Sequence, residues 1–450
     1  MNPEFRRNLW LELTPRRIIF MVGILALVFF AASVTSAQYG PANAARTLYM
    51  LIVVLWGTRN AALSVVGEIR DRTWDGQRLS SIGASQMTWG KLFGATIYNW
   101  FGGAICLAVM LIYGFAHNDP VSVLIDLVYL VALGLIAQSA SLLASLIAVR
   151  RRQSHSRLDV FLYQLAGLIA AVIVSYIWAA VDPAASLITG RKATEFIVWW
   201  GATFDSRPFL LMSLILFEGW ILVGCYREMR RELQMRNGPL VWLGFLAFMG
   251  LYIAGFDAWL SHGGPVAGWD VVALRLALAG STFALLTYVM VLLEPKDRVL
   301  YRWFGSQLAS GRINRVVASL QAWMMNYTAT VLVFVALIWW LQMQGGSQHE
   351  GQSLIAAGLG FVTRDVAIFV LFATLPSSHR GDFAAVIALV ALYVLMPAIL
   401  DGVGLRGVLA FFYPRLTQPL WLGPAVVWGE AIVAIIAATG RLALGEKSAD

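Results

Sequence analysis

The sequence predicts an all-α, polytopic transmembrane bundle of about twelve spans, arranged as two parallel six-span repeats. Three observations predict it. Of the 450 residues 59% are hydrophobic and only 13% are charged, too little polar surface for a soluble globule of this size. Apolar runs of about 20 residues, the length a helix needs to cross a ~30 Å hydrocarbon core, recur along the whole chain. The runs are continuous rather than alternating, which suits helices and not a barrel.

The spans fall near residues 17–38, 46–66, 91–115, 121–148, 159–181, 208–226, 239–260, 269–293, 317–342, 353–375, 383–401 and 419–438. Arg6, Arg7, Arg16 and Arg17 ahead of the first run, and Ser-Val-Thr-Ser-Ala at its end, imitate a cleaved signal. The run exceeds the ~7–15 residues of a signal core, so it is read as an anchored span. Before it, Asn2-Pro3 makes an N-cap and first-turn proline. Phe5, Leu9 and Leu13 recur at i, i+4 and i+8 beside Arg6, Arg7 and Glu12, the pattern of an interfacial helix.

Two polar segments interrupt the apolar blocks. Glu68 to Leu92 reads EIRDRTWDGQRLSSIGASQMTWGKL, where Leu79 and Ile82 lie one turn apart and Gly83 breaks any longer stripe. In residues 294–316, Leu300, Phe304 and Leu308 recur every four residues beside Arg302 and Gln307, a short amphipathic helix ended by Ser310-Gly311.

Positive charge sets the orientation. One set of alternate loops holds Arg70, Arg72, Arg78, Arg150 to Arg152, Arg157, Arg227, Arg230, Arg231, Arg236, Lys296, Arg298, Arg302, Arg312, Arg315 and Arg380. The other holds only Arg46, Arg191, Lys192, Arg207, Arg406 and Arg415. Both termini and the Glu68 segment are therefore expected in the cytoplasm. The net charge of +8 follows from topology and calls for no nucleic acid.

The halves repeat. Phe5 to Pro15 (FRRNLWLELTP) matches Met229 to Pro239 (MRRELQMRNGP) at an offset of 224 residues, and Glu68-Ile-Arg-Asp-Arg matches Glu294-Pro-Lys-Asp-Arg at 226. Residues 1–235 and 236–450 then form two halves of equal orientation, since six spans is an even number.

Several chemistries lack their residues. Cys106 and Cys225 are too few for a disulfide framework or a structural zinc site. No Gly-x-x-x-x-Gly-Lys-Ser/Thr phosphate loop occurs. His117, His155, His262, His349 and His379 all fall in or beside loops, which leaves no pair to ligate a membrane haem. The 18 tryptophans read as interfacial belts. Charges inside spans are the remaining functional candidates, because each costs at least ~2.5 kcal/mol at the bilayer centre unless paired or wetted. They are Glu218, Arg364, Asp365 and Glu430 near mid-span, Arg59 closer to the cytoplasmic end, and Arg275 and Asp126 closer to the outer end, where side chains can snorkel. Arg364 and Asp365 point about 100° apart on a helix, so at least one should face the bundle interior.

Glu68, Arg72-Thr73-Trp74-Asp75, Arg78-Leu79-Ser80 and Gly90-Lys91-Leu92 resemble the pattern of ABC-2-type permeases, the membrane subunits of one class of ATP-binding-cassette exporters. Asn2-Pro3 with Arg6-Arg7 is similar to the amphipathic N-terminal helix of that family. The resemblance covers roughly the first 115 residues, and the second half only through the repeat. Arg72 stands where the family has glycine, and Ser81-Ile82-Gly83 lacks its proline. Val299 and Tyr301 replace the threonine and aspartate in the second half.

The resemblance implies a permease, not itself an enzyme, that exports an apolar or amphipathic substrate between its halves. Residues 68–91 and 294–316 would be coupling segments that dock on a cytoplasmic ATPase chain, with ATP and Mg on that partner and no cofactor in this chain. The contact residues would be Glu68, Arg72, Thr73, Trp74, Asp75, Arg78, Lys91, Glu294, Asp297, Arg298, Leu300, Phe304 and Leu308. A bacterial inner-membrane location follows. An ion-coupled secondary transporter and a membrane-embedded scaffold or enzyme subunit are the alternatives, and pairing of the chain with itself or with further membrane subunits stays open.

Overall fold

The computed structural model describes residues 2–36, 40–117, 119–150, 157–182, 193–235, 237–259, 269–294, 296, 298–344, 349–373 and 381–444. In chain order the helices are α1 (Pro3–Glu12), α2 (Pro15–Thr35), α3 (Gly40–Arg70), α4 (Trp74–Arg78), α5 (Ala84–Trp89), α6 (Ile97–His117), α7 (Pro120–Arg150), α8 (Arg157–Ala179), α9 (Ser206–Glu232), α10 (Leu240–Ala254), α11 (Val271–Leu293), α12 (Arg298–Ala309), α13 (Ile313–Ala318), α14 (Ala322–Met343), α15 (His349–Ala373), α16 (Gly381–Gly402) and α17 (Leu422–Leu444). All except α1, α4, α5, α10, α12 and α13 are long and apolar enough to cross a membrane, which makes eleven among the described residues. The bundle is all-α, as the composition requires.

The expected seventh span is the one that differs. Its apolar run forms α10, whose 15 residues reach only about 22 Å at ~1.5 Å per residue. Beside the helices the described residues form one short hairpin, β1 (Phe196–Trp199) and β2 (Ala202–Asp205), too small to alter the all-α class. Its two-residue turn places Trp200 and Gly201 at φ +51° and +75°, the positive values that match the twist of paired strands.

The described chain divides into two compact units, Met1–Ile197 with Thr203–Asn237 and Val198–Ala202 with Gly238–Asp450. In the first, α3 runs at the centre. Tyr49 and Val53 are fully buried, and the Tyr49 hydroxyl donates to the Leu130 carbonyl of α7 at 2.9 Å. In the second, α11 packs along α14 and α15 along α17. Many large apolar side chains point outward, among them Ile19, Phe20, Leu27, Phe30 and Val34 of α2, each about two-thirds or more exposed. In water such a face would be a liability; against lipid tails it is the low-energy arrangement.

A distortion inside α3 sets much of the first unit. Met50–Trp56 is π-helical, a geometry that frees main-chain carbonyls from their usual partners. Hydrocarbon offers no water to replace them, so side chains must. Asn99 of α6 donates to Ile52 O at 2.8 Å, Gln138 of α7 to Val53 O at 2.9 Å, and Gln164 of α8 to Leu55 O at 2.9 Å. Single amide side chains on three separate helices thereby fix how those helices meet α3.

Candidate functional site

The Glu68 segment is built on an electrostatic bracket. Asn2 caps α1 by accepting from the Glu4 and Phe5 amides at 3.1 and 3.4 Å, Pro3 occupies the first turn, and the helix reaches Glu12. Its inner face carries Glu4 and Asn8, four residues apart. They lie over Gly90 and Gly94, also four apart, so closely that a Cβ on Gly90 would meet Glu4 Cγ at 2.5 Å and one on Gly94 would meet Asn8 Nδ2 at 2.8 Å. Between these glycines Lys91 is 1% exposed. Its Nζ donates to Glu4 Oε1 at 2.9 Å and to Glu68 Oε2, and lies 5.7 Å from the Trp74 ring centre. Arg7 bridges the same two carboxylates at 3.1 and 2.7 Å, and Gln77 donates to Glu68 at 2.6 Å. Two cations balance two anions, which is how four ionised groups can share one small site.

Glu68, Trp74 and Lys91, expected at a partner surface, are therefore engaged within the chain. Exposed on the segment are Arg72, Thr73 and Asp75, with Arg78 half-buried and Leu79 89% exposed. Arg72 is the conformational key. Its φ is +58°, in the left-handed region that costs a non-glycine residue about 1–2 kcal/mol. Arg72→Gly removes that strain and concedes roughly 0.5–1 kcal/mol of unfolded-chain entropy, so the variant is expected to be at least as stable as the parent. Arg72→Val, β-branched, is expected to melt lower. Thermal unfolding of the two variants in detergent checks both signs.

In the second segment, Glu294 is also turned inward. It is 4% exposed and its Oε2 accepts the Trp323 amide at 3.1 Å, capping the first turn of α14. Lys296 pairs with Asp382 at 2.5 Å. Leu300 and Phe304 are half-buried and Leu308 is exposed. Asp297, the Arg298 side chain, Arg151, Arg152, Arg191, Lys192, Arg236, Arg380, His155, His262 and His379 lie outside the described residues.

The charges within spans sort into paired and solitary groups. Arg364 and Asp365 are 2% and 1% exposed, so both face the interior of their unit. Arg364 Nε contacts Asp365 Oδ1 at 3.1 Å, and its Nη1 reaches Glu430 Oε2 on α17 at 2.8 Å. The guanidinium carbon lies 4.8 and 5.0 Å from the ring centres of Phe361 and Tyr393. Asp365 Oδ2 accepts from Tyr288 at 2.8 Å and Tyr393 at 2.6 Å. Tyr393 sits in a π-helical stretch of α16, Ala391–Leu395. Nη2 of Arg364 is buried without a hydrogen-bond partner among the described residues.

Glu218 of α9, 6% exposed, accepts from Ser139 of α7 at 2.9 Å through Oε2, while Oε1 has no hydrogen-bond partner among the described residues. Arg275 lies 3.6 Å from Asp257 and 4.3 Å from the Trp200 ring centre, all in the second unit. Arg59 is exposed on α3. Sequence reasoning missed Glu4, Gln138, Ser139, Tyr288 and Tyr393 as members of these networks. Glu4, Gln138 and Ser139 carry a readable signal, a charge at a helix start or a polar group in an apolar run, whereas two tyrosines among 14 carry none.

Comparison with protein-family models, with curated proteins and with solved structures gives no match to this chain.

Proposed function

We propose that the chain is the permease subunit of an ATP-binding-cassette transporter of the ABC-2 type, exporting an apolar or amphipathic substrate while a separate ATPase chain binds ATP and Mg. The observation that carries this reading is the backbone at Arg72. The resembling pattern has glycine at that position, and here the chain turns through a positive φ at the same place, just ahead of the short helix α4 between two spans. The turn and the bracket beneath it present Arg72, Thr73, Asp75 and Leu79 outward from a rigid base, as a coupling element requires.

A duplicated origin for the two halves is supported by their internal chemistry. Glu68 and Glu294, 226 residues apart, each tie the end of one span to the start of the next. Buried Asn99 and Asn326 lie 227 apart. Ser139 and Asp365 are again 226 apart; each sits in an adjacent polar pair, Gln138-Ser139 or Arg364-Asp365, and each pair contacts a glutamate on the last long helix of its half, Glu218 or Glu430.

The chain purified alone is expected to hydrolyse no ATP, and purification in mild detergent to retain a cytoplasmic ATPase. Asp75→Arg with Leu79→Asp should lower that retention roughly tenfold or more, the scale of central interface residues. Undiminished retention overturns this docking surface, and hydrolysis by the single chain overturns the reading itself. The Arg364–Asp365–Glu430 group favours one other reading, an ion-coupled transporter. Transport that persists without ATP and collapses with an ion gradient would select it.

A further inference from the structure

We propose that the segment from α12 to α13 lies on the bilayer, and that Arg312 and Arg315 hold the phosphate headgroup of an anionic phospholipid. The sequence from Arg298 to His349 contains four arginines, Arg298, Arg302, Arg312 and Arg315, and no aspartate or glutamate. Arg302, Arg312 and Arg315 form no ion pair among the described residues. Among the described residues no carboxylate pairs with the charge that Arg312 and Arg315 place on this surface.

Apolar groups share the surface with the arginines. Trp303 is 40% exposed, Leu308 59%, Ile313 66% and Val317 43%. The first turns of α12 pack inward, with Tyr301 edge-on to Trp323 at 6.5 Å and Phe304 half-buried, and the helix emerges toward its end, where Leu308 on the same stripe is exposed. The segment begins where α11 ends and returns to α14, both membrane-crossing helices, and Glu294 binds the first turn of α14. Both ends are therefore held at one membrane surface. There an amphipathic basic helix places its apolar side chains among the acyl chains and its guanidinium groups among phosphates.

The turn between the two helices gives this attraction a defined place. Gly311, at φ +69°, reverses the chain, and Gly311, Arg312, Ile313, Asn314 and Arg315 line an open concavity of about 410 Å³. Both arginines are exposed, no carboxylate lines the concavity, and guanidinium forks match phosphate oxygens in pairs. The Glu68 segment differs in the features that matter. Its exposed charges are of both signs, Arg70, Asp71, Arg72 and Asp75, with Leu79 the one large apolar group largely exposed between Asp71 and Ser81. Mixed charge suits a protein surface, whereas one sign of charge interleaved with apolar groups suits lipid.

Hydrogen exchange of the full chain in nanodiscs tests the assignment. With phosphatidylglycerol mixed into phosphatidylcholine, residues 306–318 are expected to exchange more slowly than in phosphatidylcholine alone. Arg312→Gln with Arg315→Gln should abolish the difference while exchange in the spans stays unchanged. Native mass spectra of the double variant should show its preference for retained phosphatidylglycerol reduced roughly 30-fold, at about fivefold per arginine. Equal exchange of the parent chain in the two lipids overturns the proposal and needs no variant. Inorganic phosphate that reproduces the protection in phosphatidylcholine assigns the site to a soluble anion and also overturns it. So does protection that appears only with a bound ATPase.

Discussion

Arg364→Leu is expected to lower the stability of the folded chain by about 3–5 kcal/mol, the cost of removing one partner from a buried ion pair. Arg364 is the one cation among two carboxylates, and it contacts both from the middle of a span. Without it Asp365, held by two tyrosine hydroxyls, and Glu430, partly exposed, would face apolar surroundings as uncompensated anions. Arg364→Lys keeps the charge but cannot reach two carboxylates through separate nitrogens while stacking between Phe361 and Tyr393, so an intermediate loss is expected. Removing the cluster together, as Arg364→Leu, Asp365→Asn and Glu430→Leu, should recover much of the loss, because the penalty arises from what remains unpaired. Thermal unfolding of the three variants in detergent gives the order. A single leucine variant that melts within a degree of the parent refutes a structural role for the pair.

The spans were legible because hydrocarbon imposes one rule on every residue: about 20 continuous apolar positions wherever a helix crosses. α10 escaped that rule, since its run looks long enough in sequence but the helix ends at Ala254. Charges in spans were legible one at a time for the same reason. Their partners were not: Arg364 and Glu430 are 66 residues apart, and periodicity carries no information at that range. The π-helical stretch was hidden because MLIVVLW is uniformly apolar, and nothing in it distinguishes one helical hydrogen-bond pattern from another. Its consequence could be glimpsed in Asn99, Gln138 and Gln164, each a lone amide in an apolar run, although the carbonyls they satisfy become evident only in three dimensions. Likewise Glu4 reads as an ordinary first-turn acid and Lys91 as a residue that opens a span; that the two meet depends on Gly90 and Gly94 admitting α1.

That meeting supports the second large effect. Lys91→Met is expected to cost about 3–5 kcal/mol and to release α1 before the rest of the first unit. The methionine nearly fills the volume of the lysine stem, so the loss is electrostatic: Glu4, 2% exposed, and Glu68, 17% exposed, would share one site with Arg7, whose side chain is 46% exposed. Repulsion between the carboxylates acts on α1, which meets the unit mainly through Glu4 and Asn8 on Gly90 and Gly94. Hydrogen exchange across residues 3–12 should therefore rise far more than across α7, whose Leu133 and Leu142 are fully buried. Residues 71–76 should loosen with α1, because Glu68 anchors their base through Thr73 and Gln77. Adding Glu4→Gln to Lys91→Met removes one of the two anions and should restore part of the protection. Salt should change little, since screening acts weakly on buried charges. Unchanged exchange over residues 3–12 in Lys91→Met would mean that the docking of α1 rests on the glycine contacts alone.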